Sequence, residues 1–445
     1  MRRKLPRPAL VSVVSVVSVW ALAAPAALVA CAVGADRQEF GDNFTDSGAT
    51  RDAVAFVDGA SDSQATPPDG ATPPADATPP PLDAGQDQSA PPPDAAGDAS
   101  PPCTAQIAVV AGDDTKLSAS IHTSGAWTTQ ALAGASAASG PAVVPLGAGF
   151  VAAFRAAGDA LSTASSTGTS WSAPTRVGVA SARSTPALAI TGTTAHLAFQ
   201  DTSYLYMYSA WNGATWDAPS AVGAPQSFGF EAPALVGVGA SVVAGFGGSS
   251  QGPLYLQERA GGAWGSAASV TGSAVCGTDG GGGVSRCGGA PALLATGGAT
   301  ADLLAVHIDR DTRLLTSTTR AVTTKAFTVH GPVGAGVTSD EEVFLAKAGP
   351  TRAVLTFRGQ DGKGYAALAD LSGAAPAWSA PVALSSSTLA SVPRVAPGVC
   401  GDDAIATFVL AGGGVKILRL RGATWGSEEA VGSAPARFAA IATRP

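Results

Sequence analysis

The sequence predicts an all-β fold, a seven-bladed β-propeller of four-stranded antiparallel blades, because one short phrase recurs along it. In its fullest form the phrase is a glycine, two further residues and a tryptophan, and its aromatic ring recurs at intervals of 44 to 63 residues. Intervals of roughly 40 to 50 residues, each with several short strands, are typical of propeller blades. We expect the rings to pack the blades together; they are Trp127, Trp171, Trp216, Trp264, Phe327, Trp378 and Trp425.

Each interval also divides into four short strands, named A to D from the centre of the ring outward. In the third unit these are 186–190, 195–199, 204–208 and 216–222, and Asn212-Gly213 is a hairpin signal before the last one. Unit six places residues 341–345 at strand A. In the other units strand A begins with proline, which suits the first residue of a strand, at Pro141, Pro186, Pro233, Pro291, Pro393 and Pro435.

The two ends of the repeat region are incomplete in complementary ways. The first unit, from Cys103, has strands B, C and D but no strand A, whereas the last residues, 435–441, have the pattern of a strand A with nothing after them. Pairing the two pieces in one blade would close the ring and remove an exposed sheet edge. The propeller is therefore predicted to span residues 103–445 and to be closed by its carboxy-terminal strand.

The amino-terminal 30 residues are a targeting segment. A basic start leads into an apolar run that ends Leu28-Val29-Ala30-Cys31. This ending resembles the lipobox of bacterial lipoproteins, which implies cleavage before Cys31 and lipid on its thiol and new amino terminus. Two or more acyl chains give stable membrane anchoring. An ordinary signal peptide and an uncleaved membrane anchor are the alternatives.

The residue after the cysteine, Ala32, bears on the destination. By the sorting rule of enteric lipoproteins it implies an exported protein held in the cell envelope, at the outer membrane of a Gram-negative bacterium.

Residues 31–102 then form a tether. Residues 61–102 contain 12 prolines and 7 aspartates without an aromatic residue, lysine or arginine. Such a composition cannot bury a core and is typical of a disordered spacer.

The overall charge limits the classes of partner that the protein is expected to bind. The net charge of −7 argues against nucleic acid and against electrostatic docking on anionic lipid. A monomer is expected.

With Cys31 lipidated, an even number of cysteines is left in an exported chain, which favours disulfides over a metal site. Of the three possible pairings we favour Cys276 with Cys287, which flank one glycine-rich loop, and Cys103 with Cys400, which precede strand B in neighbouring blades.

The Gly-x-x-Trp phrase resembles the Asp-box repeat of sialidases, Ser-x-Asp-x-Gly-x-x-Trp. Four copies match at Gly and Trp, but the aspartate is missing, and its position is taken by Ser166, Trp211, Arg259 and Leu420. The resemblance therefore implies a sialidase-like propeller without that family's catalytic residues. No catalytic residue, cofactor site or metal centre is assigned, and His122, His196, His307 and His330 are isolated in the sequence.

Three functions are consistent with these patterns. The leading one is a membrane-anchored, non-catalytic propeller that binds a protein or glycan; the others are a lectin, marked by exposed aromatics in blade pockets, and a glycoside hydrolase, marked by clustered carboxylates and arginines. The turns between strands B and C lie beside the loops between blades, and loops on a rigid scaffold concentrate binding residues. Seven aspartates, here called the Asp rim, make this the candidate binding face, with Ca²⁺ as a possible ligand: Asp113, Asp114, Asp159, Asp201, Asp309, Asp311 and Asp361.

Overall fold

The computed structural model describes residues 104–223, 232–247, 252–273, 275–278, 285–287, 289–334, 336–339, 341–432 and 435–445. All of these residues lie in one compact unit, Pro91–Pro445. The targeting segment 1–30, Cys31 and the tether 31–102 lie outside the described residues, so the lipoprotein assignment stays a prediction. None of the helical structure among the described residues is long and apolar enough to cross a membrane.

Seven antiparallel sheets, each a blade of four strands, confirm the predicted propeller. The first three blades, from strand A to strand D, have the following bounds. Blade 1 contains Phe438–Arg444, Gln106–Gly112, Leu117–Thr123 and Ala126–Ala131. Blade 2 contains Ala142–Leu146, Gly149–Arg155, Ala160–Thr167 and an outer strand in two pieces, Ser170–Trp171 and Thr175–Ser181, with a 3-10 helix at Ala157–Asp159. Blade 3 contains Ala187–Thr191, Thr194–Gln200, Tyr206–Ala210 and Ser220–Ala221.

The other four blades repeat this order. Blade 4 contains Ala234–Val238, Ser241–Gly247, Leu254–Ala260 and the pieces Ala263–Trp264 and Ala268–Ser269. Blade 5 contains Ala292–Ala295, Ala301–Ile308, Leu315–Ala321 and Phe327–Pro332. Blade 6 contains Phe344–Lys347, Arg352–Arg358, Lys363–Asp370 and the pieces Ala377–Trp378 and Val382–Thr388. Blade 7 contains Arg394–Pro397, Ala404–Val409, Val415–Arg421 and the pieces Thr424–Trp425 and Glu429–Ala430.

The carboxy-terminal strand closes the ring as predicted. Phe438–Arg444 pairs antiparallel with Gln106–Gly112 along its whole length, and the Arg444 side chain donates hydrogen bonds to Gln106 Oε1. The inner strands of neighbouring blades also contact one another around the ring. The edge of the first strand is therefore covered, which removes a site for unwanted strand pairing.

The core lies between blades. Strand B is covered on both sides by adjacent blades, and Gln106–Gly112 is accordingly buried at all of its residues instead of at every second one. Fully buried phenylalanines of the B strands, such as Phe150, Phe199 and Phe408, anchor these interfaces. Burying a side chain of this size contributes about 1.5–3 kcal/mol. The small residues of the sequence let the blades approach closely enough to bury these rings.

Three predicted boundaries were wrong. Strand A of blade 6 begins at Phe344 and not at Glu341, because residues 341 and 342 belong to the preceding loop. Strand A of blade 1 spans Phe438–Arg444 instead of 435–441. Strand D of the third unit, predicted as 216–222, is reduced to Ser220–Ala221.

An inserted hairpin accounts for the longest repeat interval. Cys276–Thr278 pairs with Ser285–Cys287 between blades 4 and 5, in a sheet of its own. This insertion lies between Trp264 and Phe327, the two ring positions that are 63 residues apart. The longer spacing therefore reflects an excursion between blades and not an additional blade.

Candidate functional site

The recurrent rings lie where each blade meets the preceding one. Trp127 Nε1 donates to Glu429 Oε1 of blade 7 at 2.7 Å, and Trp378 Nε1 donates to Ser317 Oγ of blade 5 at 3.2 Å. The other rings pack into the equivalent clusters of buried residues. The repeat is therefore a packing feature, because each aromatic ring fills an interface between two blades.

One blade interface contains more than packing. Between blades 2 and 3 lies a cavity of about 290 Å³ that we call the Trp211 cleft. Trp211 and Trp216 meet edge to face there, with ring centroids 5.6 Å apart and an interplanar angle of 67°. Both side chains are half-buried. The lining residues are Leu146, Val151, Thr163, Ala164, Ser165, Ser172, Thr175, Arg176, Gly178, Trp211, Ala214, Thr215 and Trp216.

The hairpin of blade 3 sets the two indoles side by side. Trp211 and Trp216 form an isolated antiparallel bridge, so their side chains emerge on the same side. Between them, the Asn212 side chain accepts hydrogen bonds from the backbone of Ala214 at 3.0 Å and Thr215 at 2.9 Å. Gly213 has a φ of 101°, which a residue with a side chain rarely adopts. The predicted Asn-Gly turn thus fixes the aromatic pair.

Blade 2 supplies the polar side of the cleft. Thr163 Oγ1 accepts the Nε1–H of Trp216 at 3.0 Å, which leaves its own hydroxyl hydrogen for another acceptor. Arg176 is exposed, and its Nη2 reaches only the carbonyls of Val179 at 3.4 Å and Ala180 at 3.5 Å. Among the described residues no carboxylate forms an ion pair with Arg176. Its guanidinium is therefore free to bind a ligand.

Two residues of the cleft differ from the residues at the equivalent positions of other repeat units. Trp211 stands five residues before the repeated tryptophan, where other units have Ser166, Arg259 and Leu420, and Arg176 stands five residues after it, where Ala221 and Ala383 are found elsewhere. The sequence places these two residues in different units, so their meeting was not predicted. An apolar aromatic wall facing a few convergent polar groups is typical of a small-molecule site.

The solved structures that match this fold include lectins. The BP39L lectin from Burkholderia pseudomallei has a TM-score of 0.61 at 14% identity, over 74% of this chain and 96% of that chain. The fucose-specific lectin from Aleuria aurantia has a TM-score of 0.46 at 14% identity, over 66% and 97% of the two chains. AofleA from Arthrobotrys oligospora has a TM-score of 0.47 at 12% identity, over 68% and 89%.

These likenesses concern the fold. No protein-family model matches the chain, and no curated protein matches it in sequence. The lectin from Burkholderia pseudomallei supports the propeller architecture, while the neighbours named here give no support to the Asp-box resemblance. The sialidase-like relationship therefore stays a prediction from the Gly-x-x-Trp phrase.

The aspartates of the Asp rim are engaged in their own turns. Asp113 accepts hydrogen bonds from Thr115 and Lys116, Asp201 from Ser203 and Leu205, Asp309 from Asp311 and Thr312, and Asp361 from Lys363 and Tyr365. The hydrogen bond from Thr115 lowers the pKa of Asp113, and that from the Lys363 backbone lowers the pKa of Asp361. These contacts are the ones that favour aspartate in any tight turn.

Arginines offset the charge of the remaining rim aspartates. Asp159 pairs with Arg155 at 2.5 Å, Asp311 with Arg310 at 2.5 Å, and Asp114 lies 3.9 Å from Arg437. Within the described part of the chain no group of three or more His, Cys, Asp or Glu side chains could hold a metal ion. The structure thus gives the Asp rim a local structural role, and partner or Ca²⁺ binding there stays a prediction.

The cysteines are described only in part. Cys276 and Cys287 lie directly opposite each other in the inserted hairpin, but their side chains fall outside the description. Cys400 is disulfide-bonded, while its predicted partner Cys103 lies outside the described residues. Both pairings therefore stay predictions.

The histidines are dispersed, as the sequence indicates. His196 is buried between the Thr191 hydroxyl and the Tyr208 hydroxyl, each 2.7 Å from a ring nitrogen, and burial lowers its pKa to about 4. His307 is fully buried in blade 5, and burial lowers its pKa to about 4 as well. Among the described residues no carboxylate is hydrogen-bonded to either imidazole.

Proposed function

We propose that the propeller is a non-catalytic carbohydrate-binding module and that the Trp211 cleft holds a sugar ring. The observation that carries this proposal is the meeting of two indoles with Arg176 and several hydroxyls in one cavity of about 290 Å³. The lectin named among the structural neighbours supports the same class of function. No carboxylate lies among the described residues that line the cleft, whereas most glycoside hydrolases use a pair.

The chemistry of a pyranose suits this cleft. One side of the ring presents C–H groups, which can pack on the face of Trp211, while its hydroxyls both donate and accept hydrogen bonds. Arg176 is a donor, and Thr163 can donate while it accepts from Trp216. The ligand is therefore held by stacking on one side and hydrogen bonding on the other.

Trp211→Ala is expected to weaken binding of the preferred monosaccharide by about tenfold or more, since it removes an aromatic contact and the area buried on it. The preferred sugar is first identified on a glycan array, and its Kd is then measured by calorimetry. Trp211→Phe is the matched control and should lose less, because an aromatic face is retained. A Trp211→Ala protein that binds every sugar as the wild type does would contradict the proposed site.

Arg176→Ala is expected to reduce affinity for the same sugar by about 10- to 100-fold, since a hydrogen bond to a charged group contributes about 1.5–3 kcal/mol. Arg437→Ala serves as the control, because Arg437 is also an exposed arginine but lies beside Asp114 of the Asp rim. If the two variants lose affinity equally, or only Arg437→Ala does, the ligand binds elsewhere. Both variants are compared with the wild type by their thermal unfolding.

We further propose that this module is displayed at the cell envelope through lipid on Cys31. The support is the Leu-Val-Ala-Cys ending of the apolar segment. Cys31→Ala is expected to leave an unprocessed precursor or to release the protein from the membrane fraction, as judged by fractionation and metabolic labelling with a fatty acid. Cys31→Ala protein that keeps the wild-type mobility and membrane association would refute the anchor.

A further inference from the structure

A second feature of the ring is the composition of its central channel. The channel has a volume of about 330 Å³ and is lined by the inner strands of all seven blades, mostly by alanine, valine, leucine and proline. Among the described residues that line it, Glu342 and Arg394 are the charged ones. Both lie at the end where the inner strands begin, and we call this end the Arg394 mouth.

The residues at this mouth depart from the repeat. The first residue of strand A is alanine in four blades, at Ala142, Ala187, Ala234 and Ala292. In blade 6 this position is Phe344, and in blade 7 it is Arg394. Strand A of blade 1 begins with Phe438, which is not among the residues that line the channel. Blades 6 and 7 therefore place large side chains in the channel lining where blades 2 to 5 have a methyl group.

The guanidinium of Arg394 is held in a fixed position. Its Nη1 donates to the carbonyl of Pro141 across the ring at 2.5 Å, and its Cζ lies 4.4 Å from the centre of the Phe344 ring. Gly140 leaves the space for it, because a Cβ at that residue would overlap Nη2. Such packing leaves only 12% of the Arg394 side chain exposed.

Glu342 faces Arg394 without bonding to it. Its Oε2 lies 3.7 Å from Nη2, which is too long for a hydrogen bond. Burial raises the pKa of Glu342; the Arg394 charge opposes this effect, the Glu341 charge adds to it, and a hydrogen bond with Thr185 opposes it. The mouth thus combines a fixed cation with a carboxyl group that is inclined to keep its proton.

Fold stability does not account for this pair. Ion pairs buried at the expense of solvation contribute little net stability, and apolar replacements are often neutral or stabilising. Blades 2 to 5 show that alanine suits the position. Charged groups with perturbed pKa values that face a cavity instead point to a binding function.

We propose that the channel binds a small aliphatic carboxylic acid, with its carboxylate on Arg394 and Glu342 and its hydrocarbon chain along the apolar wall. The guanidinium offers two N–H groups in the planar geometry that a carboxylate accepts. Glu342, when protonated, donates its O–H to the same carboxylate. The apolar lining favours the aliphatic chain because its burial removes it from water. This site is independent of the Trp211 cleft.

Octanoate is the probe, with octanol and octylamine as uncharged and cationic comparisons. Calorimetry at a low and a high pH is expected to show octanoate binding more tightly than either comparison compound, and more weakly at the higher pH, because Glu342 loses its donor proton as the pH rises. Arg394→Met should weaken octanoate binding about 10- to 100-fold at both pH values. Glu342→Gln keeps a neutral donor and should bind octanoate with little difference between the two pH values.

Arg176→Ala is the control, because it alters the Trp211 cleft and should leave octanoate binding unchanged. Circular dichroism establishes that each variant is folded; if Arg394→Met is not, the pH comparison of Glu342→Gln with the wild type decides alone. Equal affinities for octanoate and octanol, no octanoate binding at millimolar concentration, or the same pH dependence in Glu342→Gln and the wild type would each overturn the proposal.

Discussion

Deletion of residues 432–445 is expected to destabilise the whole ring by several kcal/mol, which is a large part of the stability of a typical domain. The deletion removes strand A of blade 1 and with it Ala439, Ala440, Ile441 and Ala442, which are buried in the two interfaces that flank this blade. It also exposes the edge of Gln106–Gly112, whose seven residues are all buried. We expect a much lower melting temperature and aggregation through this edge.

A shorter deletion, of Pro445 alone, is the control because it leaves every strand pair intact. Circular dichroism and calorimetry follow the unfolding of both chains. A 432–445 deletion that melts at the wild-type temperature would mean that blade 1 does not close the ring. Unfolding that is confined to one or two blades would show that the interfaces do not act cooperatively.

Replacing His307 with phenylalanine is expected to stabilise the propeller at pH 7 by about 1–3 kcal/mol, the cost of a buried polar group without a partner. Neither ring nitrogen of His307 has a hydrogen-bond partner within the described part of the chain, and the side chain is fully buried. Phenylalanine is already accommodated in the equivalent position of strand B in five other blades, at Phe154, Phe199, Phe246, Phe357 and Phe408.

The advantage of His307→Phe should grow on acidification. Burial lowers the pKa of His307 to about 4, whereas in the unfolded chain it has its ordinary value of 6.5. The unfolded state therefore takes up a proton first, so stability is complete above about pH 6.5 and is lost as the pH falls towards 4. This loss amounts to about 2–3 kcal/mol at pH 4.5 and is absent from the variant.

Denaturant unfolding at pH 7 and pH 4.5 measures this difference. His330→Gln is the control, since His330 lies in the same blade but is half-buried and hydrogen-bonded to Thr319. The wild type also loses stability on acidification through His196. Because His307→Phe retains His196, the difference between the two chains measures the effect of His307 alone. Parallel pH profiles for wild type and His307→Phe would show that His307 is not buried as a neutral ring.

The number of blades was predictable because each blade carries its own copy of the same short sequence pattern. Each repeated tryptophan follows a tight turn and precedes a short strand, and each lies in a blade interface whose requirements recur around the ring. In blade 5 Phe327 takes the place of the tryptophan. Its aromatic ring is of similar size and fills the equivalent interface. The closing strand was predictable because the first unit visibly lacked a strand A.

The candidate sites were not predictable in the same way. Arg176 and Trp211 belong to different blades, and nothing in their local sequence says that they share a cleft. Arg394 and Glu342 likewise belong to different blades, although they lie 3.7 Å apart. The available signal was that all four depart from the repeat, although the sequence alone could not distinguish these departures from neutral variation. The Asp rim shows the opposite case, in which a conspicuous residue type is accounted for by turn geometry.

The split first blade also sets the timing of folding. Gln106 and Arg444, which hydrogen-bond across the closed edge, are 338 residues apart in the chain. At the usual synthesis rate of about 5–20 residues per second, roughly 20 to 70 seconds separate their production. Throughout that delay strand B of blade 1 lacks its partner. The ring therefore cannot close until Phe438–Arg444 has been synthesised.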